Sequence, residues 1–141
     1  MNVSEFRALV VEDSPTFCSI IKLVLDSLGI KERVFVADGR KAIETLETFS
    51  ADIIFMDWMM EGMDGIECTR RIRSGASASM PDVAIIMVSA KDTEEDLRCA
   101  TEVGVDIFVP KPITIKTVHE AAVRALDKSR HSRDRDVEGS S

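Results

Sequence analysis

The chain has 141 residues, 45% of them hydrophobic and 30% charged, enough for one domain with its own core and too few for two ordinary ones. With 25 acidic against 18 basic side chains the formal net charge is −7, which argues against nucleic acid or an anionic membrane as the main partner, since both demand clustered Lys and Arg. No apolar run approaches the roughly 18 residues of a membrane span, and the amino terminus, Met-Asn-Val-Ser-Glu-Phe-Arg, lacks the apolar segment of a signal peptide.

Arg7 to Val11 contains the apolar run Ala-Leu-Val-Val and stops at Glu12-Asp13. A short apolar run bounded by turn residues predicts a strand buried on both faces, as in parallel sheets. Ser14-Pro15 then supplies a cap and a first helical proline, and Phe17, Ile20, Ile21, Val24, Leu25 and Leu28 repeat with helical period until Gly29. Val34 to Ala37 predicts a second strand, and Asp38-Gly39 opens a second helix bearing Ala42, Ile43 and Leu46.

The third strand, Ile53 to Met56, ends abruptly at Asp57, followed by a loop closed by Gly62, Asp64 and Gly65. A third helix is expected over Gly65 to Arg73, with Ile66, Thr69 and Ile72 on one side. The small-residue loop Ser74 to Pro81 is expected to be mobile. Val83 to Val88 predicts a fourth strand, ending at Ser89-Ala90-Lys91. Asp92 with Glu95 suggests a capping box for a fourth helix running to Gly104. Asp106 to Val109 is the fifth strand, ending at Pro110-Lys111-Pro112. Thr114 caps a fifth helix with a core stripe of Ile115, Val118, Ala122, Ala125 and Leu126.

Five βα units in strict alternation predict a parallel sheet with helices on both faces. The domain is expected to occupy residues 1–128. From 129 to 141 apolar residues nearly vanish and charges alternate in sign, so a disordered tail is expected. Cys18, Cys68 and Cys99 show neither metal nor disulfide spacing. They read as small buried hydrophobes in a reducing cytosol, which makes a cytoplasmic location the expectation.

In a parallel sheet every strand's carboxyl end lies on one edge, where ligands bind. That edge receives Glu12 and Asp13 from the first strand, Asp57 from the third, Ser89 from the fourth and Lys111 from the fifth. Three neighbouring carboxylates repel one another unless a cation intervenes. Mg²⁺ suits such a site, because it takes few protein carboxylates and completes its shell with water or phosphate. A carboxylate, a metal, a lysine and a hydroxyl together are equipped to receive a phosphoryl group on Asp57. No Gly-rich phosphate loop, nucleotide fingerprint or catalytic histidine is visible; His119 and His131 read as surface or interface residues.

At these residues the chain closely resembles the receiver domain of two-component response regulators, of the single-domain chemotaxis type. The resemblance covers about residues 6–128 and rests on Val-Val-Glu-Asp-Ser-Pro, Met-Asp-Trp-Met-Met-Glu-Gly-Met-Asp-Gly, Val-Ser-Ala-Lys-Asp and Phe-Val-Pro-Lys-Pro-Ile. Each motif is weak alone; four in this order are specific. The resemblance implies a flavodoxin-like (βα)5 fold with strand order 2-1-3-4-5. It implies Asp57 as phosphoacceptor for a histidine kinase or phosphotransfer protein, with Ser89 and Lys111 holding phosphoryl oxygens. It implies that Mg²⁺ is bound by Asp13, Asp57 and the main-chain carbonyl of Met59, with Glu12 acting through water. It further implies Phe108 as an aromatic switch, a cis bond before Pro112, and an output protein on the face of the fourth helix, fifth strand and fifth helix. The family usually has proline where this chain has Glu61, which would add an acid near the pocket. Glu12 replaces the commoner Asp, and Phe108 the commoner Tyr.

Such a protein would be a switch that catalyses only its own phosphorylation and dephosphorylation. Its alternative is a pseudo-receiver, a protein-binding scaffold that never carries phosphate, against which the intact acids, hydroxyl and lysine speak. A flavin carrier would want a Ser/Thr/Gly-rich loop after the first strand, where Glu12-Asp13 has the wrong charge. An aspartate-nucleophile hydrolase would want a second Asp two residues after the first, which Asp13-Ser14-Pro15 does not supply.

Overall fold

The computed structural model describes residues 5–75 and 83–139, and of residues 128–139 the backbone course only. Most of the small-residue loop expected to be mobile, from Ala76 to Pro81, lies outside the described residues. The elements alternate as β1 (Arg7–Val11), α1 (Pro15–Leu28), β2 (Glu32–Val36), α2 (Gly39–Leu46), β3 (Ile53–Asp57), α3 (Gly65–Arg73), β4 (Ala84–Ser89), α4 (Glu94–Val103), β5 (Ile107–Pro110) and α5 (Ile115–Gly139). All strand pairs are parallel, and the order is β2-β1-β3-β4-β5, the doubly wound arrangement that the resemblance implied.

The central strands are apolar on both faces because both faces are covered. Ala8, Val10, Ile53, Phe55, Ala84, Ile86 and Val88 join Phe17, Ile21, Val24 and Leu25 of α1 and Val118, Ala122, Ala125 and Leu126 of α5 in one core. Their strand neighbours Leu9, Val11, Ile54, Met56, Ile85 and Met87 face α2, α3 and α4 in a second core with Ala42, Leu46, Ile66, Ile72 and Ala100. Alternation along each strand thus divides the sequence between two layers. Each fully buried Ile, Leu, Val or Phe contributes about 1.5–3 kcal/mol.

Polar residues at the strand ends start the helices. Ser14 accepts the amide of Phe17 at 3.4 Å, Asp38 that of Lys41 at 2.9 Å and Asp64 that of Glu67 at 2.9 Å. The fourth cap differs from the expectation. Thr93, not Asp92, caps α4, and its box closes with Asp96, whose amide donates to Thr93 Oγ1 at 3.1 Å. Asp92-Glu95 and Thr93-Asp96 satisfy the same spacing, and only the second pair has its cap immediately before the first helical residue. Ile115, assigned to the core stripe of α5, is instead 48% exposed; it is the first residue of the helix, before the buried face begins at Val118. The backbone of α5 continues as helix past Lys128 to Gly139. Over 129–139 the sequence offers Val137 as its single apolar side chain, so this extension lacks the apolar stripe that anchors the helix further back.

At the amino ends of β4 and β5, Arg73 acts as a clamp. Its guanidinium donates to Val83 O at 2.6 Å, to Gly104 O at 2.7 Å and to Asp106 Oδ2 at 2.9 Å. Asp106 Oδ2 in turn accepts the amide of Ile85 at 2.8 Å. One side chain therefore joins α3, β4 and the end of α4. Arg73→Ala should lower the unfolding free energy by about 2–4 kcal/mol in urea titrations, because it leaves several part-buried acceptors unpaired. Arg73→Lys should recover less than half, since an ammonium lacks the planar fork that spans them.

Candidate functional site

The carboxyl edge gathers its groups through the turns that leave each strand. Beyond β1 the amide of Glu12 donates to Val36 O at 2.9 Å, and the side chain folds back to accept the amides of Asp13 and Ser14, both at 3.0 Å. Glu12 Oε1 is thereby satisfied. Its Oε2 is buried with no hydrogen-bond partner among the described residues, although the carboxyls of Asp57 and Asp13 crowd the group.

Asp57 is the last residue of β3 and only 4% exposed. Its Oδ1 accepts the amide of Met59 at 3.1 Å, and its Oδ2 pairs with Lys111 Nζ at 3.1 Å. Lys111 is set by its own backbone, whose amide donates to Ser89 O at 2.9 Å, and the Lys111–Pro112 bond is cis. Ser89, fully buried at the end of β4, accepts the amide of Lys91 on Oγ at 2.9 Å.

The loop after Asp57 returns tightly. Trp58 donates its amide to Val88 O at 3.0 Å, and Gly65 donates to Trp58 O at 2.8 Å. A Cβ on Gly65 would stand 2.7 Å from the carbonyl oxygen of Asp57 and 2.9 Å from Trp58 Cα. Only glycine permits the loop to close this near the carboxylate.

Of the residues singled out in the sequence, Glu12, Asp13, Asp57 and Lys111 meet at one place, and Ser89 is tied to Lys111 through its carbonyl. Asp13 is exposed, and the side chain of Met59 is 60% exposed. Phe108 is half-buried and meets the ring of Trp58 edge to face, with centroids 6.4 Å apart and planes at 81°. Glu61 is exposed on the loop. Lys91 was not singled out as a site residue, yet its amide fixes the Ser89 hydroxyl and its ammonium lies 5.3 Å from the Trp58 ring centroid. Its place two residues after Ser89 in Val-Ser-Ala-Lys-Asp was the available signal. Cys68 is buried, and burial pushes its thiol up to about 12, which makes it an inert hydrophobe; Cys18 and Cys99 are half-buried.

The electrostatics centre on Glu12. Burial, followed by the neighbouring Asp57 carboxyl, pushes it from an ordinary 4.5 up to about 8; the Ser14 amide opposes this, while the charge of Asp57 and the Asp13 carboxyl add to it. A buried carboxylate oxygen without a donor beside a second carboxylate is the chemistry of a hard-cation site. Among the described residues no three His, Cys, Asp or Glu side chains are placed to hold a metal by themselves. A cation here would thus need main-chain oxygen or water to complete its shell.

Residues 8–123 match the response regulator receiver domain family. The chain belongs to that family. It is a receiver domain of two-component signalling, a class of signalling switches rather than of ordinary enzymes. Solved structures agree. The receiver domain of a sensor histidine kinase from Pseudomonas aeruginosa PAO1, with a magnesium ion coordinated in its active-site cleft, is 29% identical, with TM-score 0.72 over 86% of this chain and 98% of that one. The signal receiver domain of a histidine kinase from Syntrophus aciditrophicus is 27% identical, with TM-score 0.74 over 87% and 91%. A chemotaxis response regulator of Vibrio cholerae is 25% identical, with TM-score 0.77 over 86% and 98%. No helix among the described residues of this receiver is long and apolar enough to cross a membrane.

The raised Glu12 gives the metal-free receiver a distinct pH dependence. The folded chain keeps this proton up to about pH 8, whereas the unfolded chain releases it near 4.5. The folded state therefore binds more protons between those values, and stability present below the lower one is lost as pH rises through the window. With divalent cations chelated, unfolding midpoints of the native chain should fall from pH 5 to 8 relative to Glu12→Gln. Parallel profiles for the two proteins would refute the assignment.

Proposed function

We propose that this receiver accepts a phosphoryl group on Asp57 from the phosphohistidine of a histidine kinase or phosphotransfer protein, and thereby changes its affinity for an output protein. The observation that carries the reading is the Lys111–Asp57 pair at 3.1 Å in a pocket where Asp57 is nearly buried. A carboxylate oxygen of Asp57 attacks phosphorus, the P–N bond breaks, and the electron pair and a proton end on the departing imidazole nitrogen. Lys111 keeps its cation beside the new acyl phosphate, where the charge of the transferred group gathers. Ser89, already at the pocket wall, turns its hydroxyl proton onto a phosphoryl oxygen.

Asp13, Asp57 and the main-chain carbonyl of Met59 would hold Mg²⁺, with Glu12 reaching it through water. The orphaned Glu12 Oε2 supports that assignment. Bound there, the ion supplies positive charge against the phosphoryl oxygens and relieves the crowding of the three acids. Phe108 is the switch, moving from its half-buried place as Ser89 shifts. The output protein docks on the face of α4, β5 and α5, where Leu97 and Val123 are exposed. The receiver occupies residues 1–128, with residues 129–141 a tail beyond it, and the protein works in the cytoplasm.

Trp58, the sole tryptophan of the chain, adjoins Asp57 and reports on the pocket. Its fluorescence should change saturably with Mg²⁺ and again with beryllofluoride or acetyl phosphate, and Asp57→Asn should abolish the second change while remaining folded. A full second change in that variant would overturn the site. No response to either ligand in the native chain would favour the scaffold reading. Lys111→Ala should still take phosphate from acetyl phosphate, yet its affinity for the output protein should be the same with and without it.

A further inference from the structure

Lys91 occupies a position that none of the roles above uses. Its amide donates to Ser89 Oγ at 2.9 Å, so the main chain of this one residue holds the pocket's hydroxyl from behind. Its ammonium lies 5.3 Å from the centroid of Trp58, within the range at which a cation is attracted to an indole face. Trp58 is 6% exposed, and its backbone is bonded to β4 and to Gly65, so the ring has little freedom of its own. Phe108 meets the same indole edge to face. Lys91 thus touches the hydroxyl through its backbone and the switch ring through an aromatic intermediary. Its side chain is otherwise exposed, and an exposed lysine costs entropy to hold over a ring.

We propose that Lys91 is a positioning residue that keeps Ser89 and the Trp58–Phe108 pair together in the resting arrangement, so that hydroxyl and ring leave it in one step. The inference rests on the reading of Asp57 as phosphoacceptor and Phe108 as switch. Ser89 cannot swing its Oγ toward Asp57 without breaking the bond in which that oxygen accepts the Lys91 amide. When the turn carrying Lys91 follows, the ammonium leaves the indole face, and the seat of Phe108 loosens with it. A contact made only in the resting state opposes occupation of the other, and removing it shifts the population toward the phosphoryl-bound form. The ammonium also attracts an incoming anion directly, and this second effect does not pass through Phe108.

The test replaces Trp58 in the full chain with 5-fluorotryptophan and compares native protein, Lys91→Arg and Lys91→Met, each also with Phe108→Ala. In the absence of ligand, the single ¹⁹F resonance should move in Lys91→Met and stay near the native position in Lys91→Arg, which keeps a cation on the ring. Beryllofluoride is then titrated at saturating Mg²⁺. Lys91→Met should bind it about threefold to tenfold more tightly, relative to Lys91→Arg, when Phe108 is present than when it is alanine. Equal effects in both backgrounds would show that Lys91 acts only as a charge, and would overturn the proposal. An unmoved resonance in Lys91→Met would overturn it at the contact itself. Absence of beryllofluoride binding in every protein, with the ligand-free resonance moving as expected, would refute the phosphoacceptor reading and leave the ring contact standing.

Discussion

A parallel sheet forces its strands to end together, and here two of those ends deliver three carboxylates to one place. Glu12 and Asp57 are each only 4% exposed, and Asp13 stands beside them. Such a cluster is unfavourable without positive charge or a shared proton. Much of the surrounding structure can be understood as a response to it. Lys111 pairs with one oxygen of Asp57, and the amides of Met59, Asp13 and Ser14 serve three further lone pairs. Among the buried side-chain oxygens of the described residues, Glu12 Oε2 alone is left. The fold thus leaves one buried carboxylate oxygen without a donor, the chemistry of a site suited to a cation.

The two cores explain how such a site is held in place. Strand residues alternate between the α1/α5 layer and the α2/α3/α4 layer, so the edge where the strands stop is fixed from both sides. Val109 belongs to the first layer and Phe108 packs against the second, which places the aromatic ring on the same side as Trp58. Neighbours on one strand thus differ: Val109 is buried in the first layer, while Phe108 stays half-buried against the second.

The architecture was legible because its signals are local and repeated. Four-residue apolar runs, Ser14-Pro15, Gly29 and Asp64 each point to an element boundary, and alternation of strand and helix leaves few topologies. The convergence of Glu12, Asp57, Ser89 and Lys111 followed from parallelism alone. Strand order did not; it came from the likeness to a family. What sequence could not supply were contacts set by three-dimensional packing. Thr93 and Asp92 satisfy the same capping pattern, and only the path of the chain selects Thr93. The Arg73 clamp joins α3 to residues 31 and 33 positions away, beyond any local pattern. Lys91 on Trp58 is a meeting of two turns that no periodicity encodes.

That clamp gives the molecule a polarity of another kind. Arg73, Asp106, Gly104 and Val83 knit the amino ends of β4 and β5 with bonds between 2.6 and 2.9 Å, whereas the opposite ends of the same strands carry the turns that hold Ser89 and Lys111. The two ends of these strands are therefore tied differently, one by a single guanidinium that spans several acceptors and the other by the turns of the site. In such a body backbone amides near the clamp would exchange their hydrogens last and those of the upper turns first.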